Sequence, residues 1–122
     1  MVRIAIQPKT DKPYSCGLGP AFDVIGGKWK AVILWELHEK PLRFGELKRR
    51  IPGITEKMLI QQVREMEADG IVVRKAYHEV PPRVDYSLSQ AGYTLNDSLE
   101  ALAEWGKRYA TEQGIVDRYI AQ

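Results

Sequence analysis

Apolar positions along this chain change period from segment to segment, and each change marks a new element. Val2, Ile4 and Ile6 alternate with polar neighbours like a short strand, and Pro8, Asp11 and Pro13 then break the pattern. Residues 1–17 therefore read as an arm. Phe22, Val24 and Ile25 mark a short helix over 18–26, stopped by Gly26-Gly27. A second helix is expected from Lys28 to about Glu39. Trp29, Val32, Ile33, Leu34, Trp35 and Leu37 cover nearly all its sides, so it should be the buried central helix. Pro41 ends it. Phe44, Leu47 and Ile51 stand at helical spacing and predict a third helix over 44–51, followed by the turn Pro52-Gly53-Ile54.

Thr55 can cap a fourth helix, its hydroxyl accepting a free backbone N–H. That helix should run to about Asp69 and stop at Gly70. Leu59, Val63 and Met66 form its inward stripe. Lys57, Gln61 and Arg64 fall on the opposite side, with Thr55, Met58 and Gln62 flanking. Ile71-Val72-Val73 begins a strand that continues to about His78. Pro81-Pro82 mark a hairpin tip, since proline cannot sit inside a central strand. Val84, Tyr86 and Leu88 alternate on the return strand. Ser89 or Gln90 opens a long last helix with the stripe Leu95, Leu99, Leu102, Trp105 and Tyr109. Gly114 interrupts it, and Ile115, Val116, Tyr119 and Ile120 start a short amphipathic segment.

Two helices joined by a short turn, followed by a hairpin, are the parts of a winged helix-turn-helix. The expected fold is mostly α with a small β-hairpin (α+β), a winged helix-turn-helix with additional N- and C-terminal dimerisation helices. Its organisation is an arm over 1–17, the winged domain with its long helix over 18–110, and a dimerising helical segment over 111–122. The last stripe exceeds what one small winged helix needs to cover its core, and such an apolar excess marks an interface.

Charge sharpens this picture. Residues 28–83 hold twelve Lys and Arg against eight acids, whereas residues 84–122 hold three against six. The basic excess coincides with the expected helix-turn-helix and hairpin, and such an asymmetric basic half points to a polyanion. No apolar run is long enough to span a bilayer and no signal sequence opens the chain, so no membrane association and a cytoplasmic location are expected. The single cysteine, Cys16, excludes an intrachain disulfide framework and a cysteine zinc cluster. His38 and His78 show no metal spacing. There is no nucleophile–base pair and no phosphate-cradling glycine loop, which argues against an enzyme and against a cofactor.

A charged helix face is usually only solvated. Here the preceding helix, the short turn and the basic hairpin make Lys57, Met58, Gln61 and Arg64 the expected base-reading residues. Thr55 and Gln62 are assigned to phosphates or base edges. Arg74, Lys75 and Arg83 on the hairpin are assigned to the DNA backbone or minor groove, against the plain alternative of charges that protect a sheet edge. Lys28 and Lys30 open a helix, where they either meet a phosphate or are simply solvated. Cys16 stands just before the first helix, where a thiolate is favoured; the bland reading is a small residue of no special role. A winged-helix protein-interaction module without DNA binding is the main alternative function, and a thiol-dependent enzyme using Cys16 is a more remote one.

These residues resemble the HxlR-type family of bacterial winged helix-turn-helix transcription regulators. The resemblance runs from about Cys16 to Gly106. It rests on Asp23-Val24-Ile25-Gly26-Gly27-Lys28-Trp29, Leu42-Arg43-Phe44-Gly45-Glu46-Leu47, Pro52-Gly53-Ile54, Glu56-Lys57-Met58-Leu59, Gln61-Gln62, Glu67-Ala68-Asp69-Gly70 and Val80-Pro81-Pro82-Arg83-Val84-Asp85-Tyr86-Ser87-Leu88. It implies homodimers on double-stranded operator DNA, joined through terminal helices, with 55–69 as recognition helix and 71–88 as wing. It also implies a candidate sensor of oxidants or electrophiles at Cys16, because some members use a cysteine at that place. Where the family often has proline directly after this cysteine, the chain has Gly17. A small-molecule or oxidant effector is thus a candidate partner.

Overall fold

The computed structural model describes residues 16–115. The strand-like pattern at Val2, Ile4 and Ile6 and the segment carrying Val116, Tyr119 and Ile120 lie outside the described residues. Within them the chain forms α1 (Leu18–Ile25), α2 (Lys30–Leu37), β1 (Leu42–Arg43), α3 (Phe44–Arg50), α4 (Glu56–Ala68), β2 (Val72–Tyr77), β3 (Arg83–Leu88) and α5 (Gln90–Glu112). The expected mostly helical winged fold is present. Pro20 lies in the first turn of α1, where a missing N–H costs no helical hydrogen bond.

The helix boundaries follow local chemistry. The Thr55 hydroxyl accepts the Met58 backbone N–H at 3.1 Å and caps α4. Gly70, at φ 76°, ends α4 in a left-handed turn. There the Ile71 N–H reaches the Met66 carbonyl and the Gly70 N–H the Glu67 carbonyl, both at 2.9 Å. The Glu46 carboxylate accepts the Arg43 backbone N–H at 3.1 Å at the start of α3. That hydrogen bond is the main reason its pKa falls below the ordinary carboxylate value, with Lys40, Arg43 and Arg49 adding to it. Ser89 caps α5 by accepting the Gly92 N–H at 3.1 Å, and its hydroxyl donates to the Gly70 carbonyl at 2.6 Å. Gly92 itself sits where a Cβ would lie 2.5 Å from the Ile71 carbonyl oxygen, so only glycine lets α5 start this close to the hairpin.

The core is one cluster. Ile33, Leu34 and Leu37 of α2 meet Leu47 of α3, and Leu59, Val63 and Met66 of α4 meet Val72 and Leu88 of the sheet. Leu95 and Leu99 of α5 pack against it from outside. The three strands lie in the order β1-β3-β2, all antiparallel. β1 was not expected from the sequence. It is only two residues long, and it exists because Leu42 and Arg43 pair with Tyr86 and Asp85.

Two further expectations are corrected. α2 is shorter than the span Lys28–Glu39, because Gly27 adopts a left-handed φ of 92° and Trp29 is its N-cap. It is also not buried on all sides: Val32 and Trp35 remain exposed, and only one face enters the core. α5 runs to Glu112, in keeping with the interruption expected at Gly114. It ends at Gly114, where the Ile115 N–H returns to the Ala110 carbonyl at 2.9 Å.

Candidate nucleic-acid interface

α4 presents two chemically distinct faces. Leu59, Val63 and Met66 are buried in the core, which orients the helix about its axis. Lys57, Gln61 and Arg64 then point to solvent, as the spacing predicts, while Met58 and Gln62 are half-buried on the flanks. The Met58 side chain packs against the core, which draws it away from the exposed face. Thr55 is exposed and its hydroxyl oxygen is engaged by the cap.

Arg64 and Arg74 line one cleft between α4 and the sheet, with Phe44, Ile60, Val84 and Tyr86 as its apolar floor. The tilted contact of Phe44 with Tyr86, centroids 6.5 Å apart, ties α3 to β3 beneath it. Glu56 and Glu67 also border the cleft, so its charge is mixed rather than purely basic. Neither Ile60 nor Phe44 is assigned to the site from the sequence, although Phe44 marks the third helix. Their signal was an apolar residue on the otherwise polar side of α4 and an aromatic one turn from Leu47.

The wing divides its cations between two faces. Arg74 lies across from Tyr86, and Lys75 across from Asp85, so adjacent side chains point to opposite sides of the sheet. Lys75 Nζ stands 4.9 Å from the Tyr77 ring centroid, and the Arg83 guanidinium covers the same ring at 3.8 Å. Arg83 is half-buried and also pairs with Glu79 at 3.5 Å and Asp85 at 3.7 Å. Tyr77 first, and then the two carboxylates, raise its pKa above the ordinary guanidinium value. Arg83 is thus committed within the wing, whereas Arg74 is exposed.

The two lysines at the head of α2 have separate fates. Lys28 is exposed, its ammonium 4.7 Å from the Trp29 ring centroid. Lys30 is neither solvated nor free for a phosphate: it is buried and pairs with Glu65 of α4 at 2.6 Å. Nothing local in the sequence announces this pair, whose members are far apart in the chain. Cys16 is exposed, directly before α1. Among the described residues no group of His, Cys, Asp and Glu could hold a metal ion, and no helix is long and apolar enough to cross a membrane.

Residues 24–114 match the model of the HxlR-like helix-turn-helix family. The chain belongs to that family. It is a DNA-binding transcriptional regulator of the HxlR type, built on a winged helix-turn-helix. Among its relatives is YkvN of Bacillus subtilis (strain 168), an uncharacterized HTH-type transcriptional regulator, 50% identical over 102 residues that cover 84% of this chain and 86% of YkvN. A solved structure of the HTH-type transcriptional regulator ytcD is 48% identical with a TM-score of 0.74, covering 77% of this chain and 96% of that one. The redox regulator HypR in its oxidized form is 46% identical with a TM-score of 0.72, covering 76% of this chain and 96% of that one.

Proposed function

We propose that this HxlR-type regulator binds a two-fold symmetric operator as a homodimer, with α4 of each protomer in the major groove and the β2–β3 wing along the adjacent backbone. The observation that carries this is the exposed row of Lys57, Gln61 and Arg64, held outward by the buried stripe on the same helix and faced by Arg74 across a cleft. Lys57, Gln61 and Arg64 read base edges, and Met58 and Gln62 border them. Thr55, Arg74, Lys75 and Lys28 serve the backbone. Arg83 orders the wing tip through Tyr77. Such a regulator works where the DNA is, in the cytoplasm.

Dimerisation is supported by an unfilled apolar surface. Trp35, Leu102, Trp105 and Tyr109 are all exposed, and Trp105 and Tyr109 stack at 5.0 Å. A groove between α2 and α5 is lined by Val32, Trp35, Leu99, Leu102 and Ala103. A second copy would cover it. Control through Cys16 is supported by its exposure and by the likeness to a protein named as a redox regulator.

Selection of bound sequences from random DNA at stated salt tests the proposal. The expected result is a palindrome whose half-sites lie about 34–36 Å apart. With ~8 phosphates engaged per dimer, log affinity against log salt should slope near −7. Recovery of no enriched sequence, with a slope near zero, would leave a protein-interaction module instead.

A further inference from the structure

Lys30 is a buried cation that the interface described above does not use. Its ammonium lies 2.6 Å from Oε1 of Glu65, with the lysine side chain 5% exposed and the glutamate 41% exposed. The other oxygen of the same carboxylate, Oε2, is 3.4 Å from Nε2 of Gln61. One carboxylate thus joins a lysine in the core to a side chain on the exposed face of α4. The contact between α2 and α4 already has an apolar basis in Ile33, Leu34, Leu37, Leu59, Val63 and Met66. An ion pair whose carboxylate is 41% exposed adds little over apolar packing at such a place, so holding the helices together does not account for it.

The chemistry of the bridge gives Gln61 a direction. An ionised carboxylate only accepts hydrogen bonds, so the Gln61 amide must turn its NH2 group, not its oxygen, toward Glu65. Oε1 and the second N–H are then presented outward together. That acceptor–donor pair complements the N6–H and N7 of adenine in the major groove, whereas guanine offers two acceptors there. Lys30 also neutralises a carboxylate that would otherwise repel phosphates beside the reading face. At 3.4 Å the Gln61 contact is long, so the amide is biased rather than locked.

We propose that Lys30 is a positioning residue for base recognition: acting through Glu65, it orients the Gln61 amide to select adenine at one base pair of each half-site. This rests on the reading of Gln61 as a base-contacting residue, so the test includes that reading as its own arm. The full-length protein is titrated with its selected operator and with operators carrying each base at each position. Gln61→Ala should lose discrimination at a single pair per half-site, and the preferred base there should be adenine.

Three further variants examine the bridge. Lys30→Met with Glu65→Met removes it without changing net charge, and should cut discrimination at that pair about tenfold while affinity for unrelated DNA and the salt slope stay as they were. Lys30→Arg should keep the preference. Glu65→Gln keeps an acceptor for Lys30 but turns a donor toward Gln61. The Gln61 amide should then flip, reversing the order of its acceptor and donor so that neither adenine nor guanine is matched, and loss of the adenine preference in this conservative variant decides the matter if the double variant fails to fold. Full selectivity in folded bridge variants, with loss only in Gln61→Ala, would overturn the positioning role and leave the recognition face standing. Full selectivity in Gln61→Ala would overturn both.

Discussion

At the scale of single residues, the cations of this interface are not equivalent. Arg74 is exposed and borders the cleft beside α4, while Arg83 is held by Tyr77, Glu79 and Asp85. A cation that meets a phosphate releases counterions, and one that orders a hairpin does not. Arg74→Ala should therefore lower the magnitude of the salt slope by about one for each protomer. Arg83→Ala should weaken binding to all sequences evenly with a smaller change in slope. Equal slopes for the two variants in fluorescence titrations would show that both act in the same way. Cys16 is a second residue-scale case. As the sole thiol in the chain it can form a sulfenic acid, a mixed disulfide or a bridge between protomers. Diamide should change operator affinity in the natural protein and leave Cys16→Ser unaffected; identical responses would remove Cys16 from the mechanism.

At the scale of elements, α4 depends on both its cap and its stripe. Thr55→Ala removes the acceptor for the Met58 N–H and should lower unfolding stability by about 1 kcal/mol in urea titrations. Thr55→Ser should recover most of that, because the hydroxyl is what caps. Leu59 is fully buried under the same helix, and Leu59→Ala should cost about 2–5 kcal/mol. A loss of DNA binding in Thr55→Ala at temperatures where it remains folded reports on the interface, while a loss in Leu59→Ala reports mainly on unfolding. The wing is a different kind of element. Its register sets Lys75 and Arg74 on opposite faces, so the hairpin can offer only one of them to the cleft beside α4.

At the scale of the whole molecule, the exposed apolar surface between α2 and α5 is where the proposed dimer would form. Leu102 is 57% exposed and Trp105 54%, on a helix whose Leu95 and Leu99 already pack on the core. A charge placed on the outer part of this surface should leave the monomer folded and disfavour association. Leu102→Glu should weaken the dimer by about 2 kcal/mol or more, seen as a shift toward monomer in sedimentation at micromolar concentration. Binding to a two-fold site should fall with it, while binding to a single half-site should not. Sedimentation of the natural chain as a monomer under the same conditions would reject the dimer.

The local chemistry of the chain was enough to place most elements. Pro41, Pro52-Gly53, Gly70 and Pro81-Pro82 punctuate it, Thr55 caps α4, and helical spacing separates Leu59, Val63 and Met66 from Lys57, Gln61 and Arg64. All of these depend on residues within a turn or two of one another, which is the range over which periodicity and capping act. The family resemblance then implies a reading helix and a wing within one ordered domain. What only the tertiary structure decided involves partners distant in sequence. β1 is too short to show a period and becomes a strand only by pairing with β3. Val32 and Trp35 look like core by composition, yet α2 has just one face against the other elements. Lys30 looks like a solvated helix-start lysine until Glu65 is brought to it from α4. Burial and ion pairing are properties of the packed arrangement, and no local pattern encodes which distant side chain will arrive.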